Sequence, residues 1–216
     1  MPHSLIVFDL DGTLIDSRRD LADATNELIV ELGGAPLGVD AVTEMVGEGA
    51  AVLVRRALTA AGLDPAAPRA LERFLAHYDV RLTRHTRPYA GIPEALTALR
   101  ATGRTLAVLT NKPQHATERI LDRLHLAPLM SQVIGGDTEA SRKPDPRGLR
   151  RIIDVAGGAP ESTVLVGDSP IDLETARRAA AGICLARYGF GYRFADGAFR
   201  GDELFVDDPR ELAAVL

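Results

Sequence analysis

Leu5-Ile6-Val7-Phe8-Asp9-Leu10-Asp11-Gly12-Thr13-Leu14-Ile15-Asp16 is the stretch that decides the fold. Four apolar residues run without interruption and then stop on two aspartates spaced one apart, with Gly12 as a breaker just beyond. A short apolar run bounded by turn signals reads as a buried strand. Asp9 and Asp11 therefore stand at the carboxyl end of a central strand. In open α/β sheets that rim is where ligands bind. Two acids there are costly unless a cation or a reaction uses them.

Working outward, residues 18–32 place Leu21, Ala24, Leu28 and Leu32 at helical spacing, and Gly33 and Gly34 stop the pattern. Helical pieces continue over 40–45, 50–61 and 71–82, with a turn at Gly47-Glu48-Gly49 and no convincing buried strand. The character changes at Arg87-Pro88-Tyr89-Ala90-Gly91-Ile92-Pro93, where prolines and a glycine mark a return to another domain. From there helices over 93–101, 114–124, 146–156 and 171–180 alternate with strands over 106–109, 132–134, 164–166 and 183–186. Such alternation implies a parallel sheet covered on both faces. The expected architecture is α/β: a doubly wound, Rossmann-like parallel-sheet core from residues 1–16 and 88–216, with residues 17–87 inserted as a helical domain.

The 216 residues, 46% of them hydrophobic, suffice for a core of about 150 residues plus a smaller insert. Aromatic residues are 5%, tryptophan is absent and the net charge is -5, which argues against nucleic acid as a partner. A small anionic substrate can still bind through local donors. Arginines are spread as expected of solvated helix faces. Cys184, the single cysteine, lies in an apolar run; it reads as a buried structural thiol and allows neither an intramolecular disulfide nor a cysteine metal cluster. The five histidines show no ligand spacing. No signal-like amino terminus and no apolar run near ~18 residues is found, so a cytoplasmic protein without a membrane partner is expected. Oligomeric state is not readable.

Several expected strands end in chemically able residues. The second runs into Thr110-Asn111-Lys112, the fourth into Gly167-Asp168-Ser169 with Asp172 close behind, and Lys143 follows the third. Strand ends in a parallel sheet share one edge, so these groups can converge. Asp9, Asp11 and Asp168 would form an oxygen-rich nest suited to Mg2+, a hard ion that takes oxygen ligands. Thr110 and Asn111 offer donors for phosphate oxygens, and Lys143 a compact positive charge. Those are the parts that phosphoryl transfer needs. Taken singly, each has a plainer reading: Thr110 as a turn residue, Lys143 as a surface lysine, an aspartate after a strand as a helix cap. Only the set points to chemistry.

The set resembles the haloacid dehalogenase superfamily, in its phosphatase branch with a helical cap. The motifs stand in order: Asp9-Leu10-Asp11-Gly12-Thr13, Thr110-Asn111, Lys143-Pro144 and Gly167-Asp168-Ser169-Pro170-Ile171-Asp172. The resemblance implies that Asp9 is a nucleophile phosphorylated in turn, and that Asp11 is an acid and then a base. It implies that Thr110 and the Asn111 backbone bind the phosphoryl group, that Lys143 holds Asp9 and the phosphate, and that Asp172 lies behind the metal. Mg2+ would be held by Asp9, Asp11 (through its carbonyl) and Asp168. Asp11, with carboxylates beside it, is expected to hold a proton. The resemblance also implies phosphoryl transfer rather than dehalogenation, because the dehalogenases of the superfamily lack an aspartate at the position of Asp11.

Met45-Val46-Gly47-Glu48-Gly49-Ala50 with the following Arg55, the return at residues 87–93, and Tyr188-Gly189-Phe190-Gly191-Tyr192 look like segments of phosphoglycolate phosphatases. The substrate this implies is 2-phosphoglycolate, its carboxylate bound by the Gly47 to Gly49 amides or by Arg55. The alternatives are a sugar-phosphate phosphatase or phosphomutase on the same core, and a noncatalytic binding protein on the same fold.

Overall fold

The structure is a computed structural model; it describes residues 3–138 and 142–216. In chain order the elements are β1 (Leu5–Phe8), β2 (Ile15–Asp16), α1 (Arg18–Glu31), α2 (Val39–Thr43), α3 (Ala50–Ala60), α4 (Ala70–Asp79), β3 (Arg87–Pro88), α5 (Ile92–Ala101), β4 (Thr105–Leu109), α6 (Gln114–Arg123), β5 (Gln132–Ile134), α7 (Arg147–Val155), β6 (Thr163–Gly167), α8 (Pro170–Ala179), β7 (Gly182–Ala186), β8 (Leu204–Val206) and α9 (Leu212–Val215). The chain forms two compact units, one from residues 1–16 and 88–216, the other from 17–87. No described helix is long and apolar enough to cross a membrane.

The first unit is built on a six-stranded sheet of order β5-β4-β1-β6-β7-β8, every neighbouring pair parallel. The chain fills one side of β1 and then the other, so β1 is central and the strand order reverses beside it, the position at which doubly wound sheets bind ligands. In register, Phe8 faces both Val108 and Val166. Asp9 thus leaves the sheet level with the ends of β4 and β6. Alternation sends Leu5, Val7, Ala107, Leu109, Leu165, Ile183 and Leu185 to one face, where they pack with Leu149, Ile152 and Ile153 of α7 and Leu173, Ala176 and Ala179 of α8. Ile6, Phe8, Leu106, Val108, Val164 and Val166 take the opposite face and are equally buried. Both faces being covered explains why the strands read as unbroken apolar runs.

The second unit holds α1 to α4. Buried Asp20 in the first turn of α1 accepts from the backbone N–H groups of His85 and Thr86 and from the Thr86 hydroxyl, which ties the two ends of the insert together. Asn26 makes a paired contact with the Leu37 backbone, at 2.7 and 2.8 Å. Phe74 and Tyr78 stack on the inner face of α4 with centroids 5.8 Å apart.

Three differences from the sequence reading stand out. α4 ends at Asp79 rather than at 82, because Val80 turns out to solvent at 77% exposure while Leu82 is buried from a turn, so the apolar spacing outlives the helix. The short helix expected over 40–45 is α2, one residue earlier and ending at Thr43. β2, β3 and β8 were not expected; each is only two or three residues long, and β8 adds a sixth parallel strand beside β7.

Candidate active site

The carboxyl ends of β1, β4 and β6, three adjacent strands, carry Asp9, Thr110 and Asp168. The Asp9 N–H donates to Val166 O of β6 at 2.8 Å and the Thr110 N–H to Ile134 O of β5 at 3.0 Å, so each residue is still held by the sheet ladder as its side chain leaves it. Asp9, Asp168 and Asp172 offer carboxylate oxygens that all lie within 4.8 Å of one another. Asp172 owes its place to the start of α8: Ser169 caps the helix and, in return, its N–H and hydroxyl donate to Asp172 Oδ2 at 3.1 and 2.6 Å.

One buried ammonium enters this group. Lys143 Nζ lies 2.8 Å from Asp9 Oδ1 and 2.5 Å from Asp172 Oδ1. Burial opposes its charge, but Asp172 and Asp9 more than offset that, and its pKa is raised. Burial likewise pushes Asp9 up to about 6, against the pull of Lys143 and with Asp172 adding to it. Asp168 is held well above the usual carboxylate range by burial, then by the charges of Asp172 and Asp9. Three acids thus crowd a space in which a single ammonium only partly neutralises them. An oxygen-only donor set with that excess of negative charge fits a hard divalent cation.

Asp11 is arranged differently. Lys112 Nζ donates to both of its carboxylate oxygens at 2.9 Å. An ammonium therefore stands where the sequence led us to expect other carboxylates. The clustered carboxylates are those of Asp9, Asp168 and Asp172, with Asp172 inside the group and the Asp11 side chain turned to Lys112 instead. The sequence reading places Lys112 at this strand end but gives it no role; its contact with Asp11 makes it a functional candidate. A signal was present: the chain has only two lysines, and both, Lys112 and Lys143, are buried at this edge with side chains 2% exposed.

Thr110 is buried, and its hydroxyl accepts from the Lys112 N–H at 3.2 Å. Asn111, expected at the substrate through its backbone, uses its side chain on Lys143: Nδ2 donates to Lys143 O at 3.0 Å, and Lys143 N donates to Oδ1 at 2.7 Å. That amide clamp fixes the backbone from which Lys143 reaches Asp9. Gly47, Gly49 and Arg55 belong to the helical unit. Both glycines have positive φ, 124° and 91°, and Gly49 precedes α3. Arg55 is exposed on α3; its neighbour Arg56 is the one that grips the turn, through Glu48 and Met45 O. Cys184 is buried in β7, and burial pushes its thiol up to about 12, as a structural thiol requires.

Known proteins resemble the chain over most of its length. Residues 6–186 match the family described as haloacid dehalogenase-like hydrolase. The chain is similar to a phosphoglycolate phosphatase of Rhodospirillum rubrum, 43% identical over 197 residues covering 88% of this chain and 81% of the relative. It is 40% identical to another from Agrobacterium fabrum over 219 residues, covering 98% and 91%. A crystal structure of a predicted phosphoglycolate phosphatase from Haemophilus somnus 129pt superposes with a TM-score of 0.91 at 30% identity, covering 99% of this chain and 97% of that one. A family match over residues 6–186, with relatives at least 40% identical over most of the length, makes the chain a member of the haloacid dehalogenase-like hydrolases, and an enzyme of that family.

Proposed function

We propose that the chain is a Mg2+-dependent phosphomonoester hydrolase that acts through a phosphorylated Asp9, with 2-phosphoglycolate as its substrate and glycolate and phosphate as products. The observation that carries this reading is the contact of Lys143 with Asp9 at the point where strand order reverses, beside Asp168 and Asp172. The phosphoglycolate phosphatases to which the chain is about 40% identical support the substrate.

Asp9, Asp168 and the Asp11 carbonyl would hold the metal, which when bound lowers the repulsion between a carboxylate and a phosphate dianion. In the first step, which Asp11 must enter protonated although Lys112 faces its carboxyl, an Asp9 oxygen bonds to phosphorus, the bond to the leaving oxygen breaks, and Asp11 gives that oxygen its proton. In the second, Asp11 takes a proton from water, whose oxygen bonds to phosphorus as the Asp9–phosphorus bond breaks. A covalent carboxylate intermediate splits one hard displacement into two easier ones. Lys143 steadies Asp9 and the phosphate, and the Thr110 hydroxyl can donate to a phosphate oxygen. Gly47, Gly49 and Arg55 are the residues we assign to the substrate carboxylate, for which amide N–H groups and a guanidinium are suitable donors.

A panel of phosphomonoesters assayed with Mg2+, with Mn2+ and with chelator tests the reading. We expect phosphate release from 2-phosphoglycolate at the highest kcat/KM and none with chelator. A kcat/KM for 2-phosphoglycolate no better than for sugar phosphates would remove the substrate, and an isomeric sugar phosphate as product would make the enzyme a phosphomutase. Full activity with chelator would remove the metal.

A further inference from the structure

Between β7 and β8 the chain makes the turn Tyr188-Gly189-Phe190-Gly191-Tyr192, which none of the steps above uses. Its backbone closes on one carboxylate. The Gly191 N–H donates to Asp168 Oδ2 at 2.7 Å. A Cβ at Gly191 would stand 2.9 Å from that same oxygen, and one at Gly189 would stand 2.3 Å from Asp168 Cβ. A Cβ at Gly12, just beyond β1, would come within 2.0 Å of Asp168 Oδ2. Two segments far apart in sequence thus leave the Asp168 side chain room for little besides its observed orientation. Neither Gly189 nor Gly191 has positive φ, so glycine is needed there for space rather than for backbone freedom.

The turn is itself anchored. The Tyr188 hydroxyl donates to Thr13 O at 2.9 Å, and its ring meets Tyr89 edge-on with centroids 5.0 Å apart. Beyond Gly191 a row of aromatic contacts, Tyr192 to Phe194, Phe194 to Phe199 and Phe199 to Phe205, carries the support into β8 at centroid distances of 4.9, 5.0 and 5.2 Å. Both ends of the turn are therefore fastened to the same unit that carries Asp168.

We infer that this turn is a positioning element: the Gly191 N–H and the close glycine backbones aim the Asp168 carboxylate at a divalent cation, and Tyr188 holds the turn in register with the Asp9 to Thr13 segment. The inference rests on Asp168 being a metal ligand. A carboxylate with one oxygen taken by a fixed N–H presents the other in one direction, and partners of this kind change metal affinity by about 10–100-fold when lost. Tyr188, Gly189 and Gly191 touch no reacting atom; they act through Asp168.

The test reads metal binding directly. Mn2+ is titrated into chelator-stripped full-length protein without substrate, and free Mn2+ is followed by electron paramagnetic resonance. Gly191→Ala is expected to raise the Mn2+ Kd by about 10-fold or more. Tyr188→Phe, which adds no atom and so keeps the test alive if Gly191→Ala fails to fold, is expected to raise it by about 3-fold. The thermal midpoint of each variant in EDTA separates aim from general damage: a lowered midpoint with an unchanged Kd overturns the inference. So does a Kd equal to wild type in Tyr188→Phe and Gly191→Ala while Asp168→Asn loses the ion. If Asp168→Asn binds Mn2+ as tightly as wild type, the metal-ligand reading of Asp168 falls, and this inference with it.

Discussion

Replacing Lys143 with methionine removes the ammonium and keeps most of the volume. Its Nζ lies 2.8 Å from Asp9 and 2.5 Å from Asp172, with both partners and the lysine buried. At an effective dielectric constant of about 20 each contact is worth about 6 kcal/mol of Coulomb attraction. Desolvating three ions offsets most of that. What the variant keeps is the penalty of buried carboxylates with no cation against them, about 3–5 kcal/mol. For a chain of 216 residues that corresponds to a fall in Tm on the order of 10 °C.

The loss should depend on pH, with a sign that can be worked out. Asp9 is already pushed up to about 6 by burial with Lys143 beside it, and removing the lysine takes away an influence that lowers it. A protonated Asp9 needs no counter-charge. The deficit of Lys143→Met relative to wild type is therefore greatest near pH 7.5 and shrinks toward pH 5. Differential scanning calorimetry in EDTA, at both pH values, measures it without a bound ion. A deficit below about 1 kcal/mol at pH 7.5 would refute the reasoning, since loss of one partner from a buried pair costs more than that. So would a deficit equal at the two pH values.

Asp9→Asn should cut turnover by at least about 10^3-fold, as loss of a nucleophile does, and abolish the hydroxylamine-sensitive phosphoenzyme. The same variant tests the linkage. Folded Asp9 holds a proton between its ordinary value of 3.8 and about 6, so its contribution to stability falls as pH rises through that window. In EDTA, the stability of Asp9→Asn relative to wild type should then rise between pH 4 and pH 7.5. Asn111→Ala breaks the paired clamp on the Lys143 backbone; we expect kcat/KM to fall by about 10-fold or more, and a wild-type value would sever Asn111 from Lys143. In the helical unit, Asp20→Ala strands two backbone N–H groups and the Thr86 hydroxyl, and urea unfolding should show a loss of about 3–5 kcal/mol.

What could be read from the residues alone followed burial. β1 and β6 are buried on both faces, so their apolar runs mark their positions and bounds to within a residue, and their polar ends mark the edge. β8 escaped because Leu204 and Phe205 are only half-buried and the strand is three residues long, too short for any period. The roles of Asp11 and Lys112 depended on which cation meets which acid, a matter of register between β1 and β4 that no single segment encodes. A lone lysine ordinarily reaches solvent, which is the plain reading of Lys143, and nothing in the residues around Lys112 marks Asp11 as its partner.

Composition held a stronger clue than position did. Of 25 basic residues only two are lysines, and both are buried against carboxylates, whereas the arginines Arg69, Arg147, Arg187 and Arg210 pair at the surface. A chain that uses guanidinium nearly everywhere keeps ammonium where space is short. The planar fork of arginine carries five donors that must all find acceptors when buried, while three donors on one tetrahedral nitrogen can bridge Asp9 and Asp172 or cover both oxygens of Asp11. On that reasoning Lys143→Arg and Lys112→Arg are not conservative. Each should lose kcat/KM by about 10-fold or more although the charge is kept, and near-wild-type activity in both would show that only the charge matters at this edge.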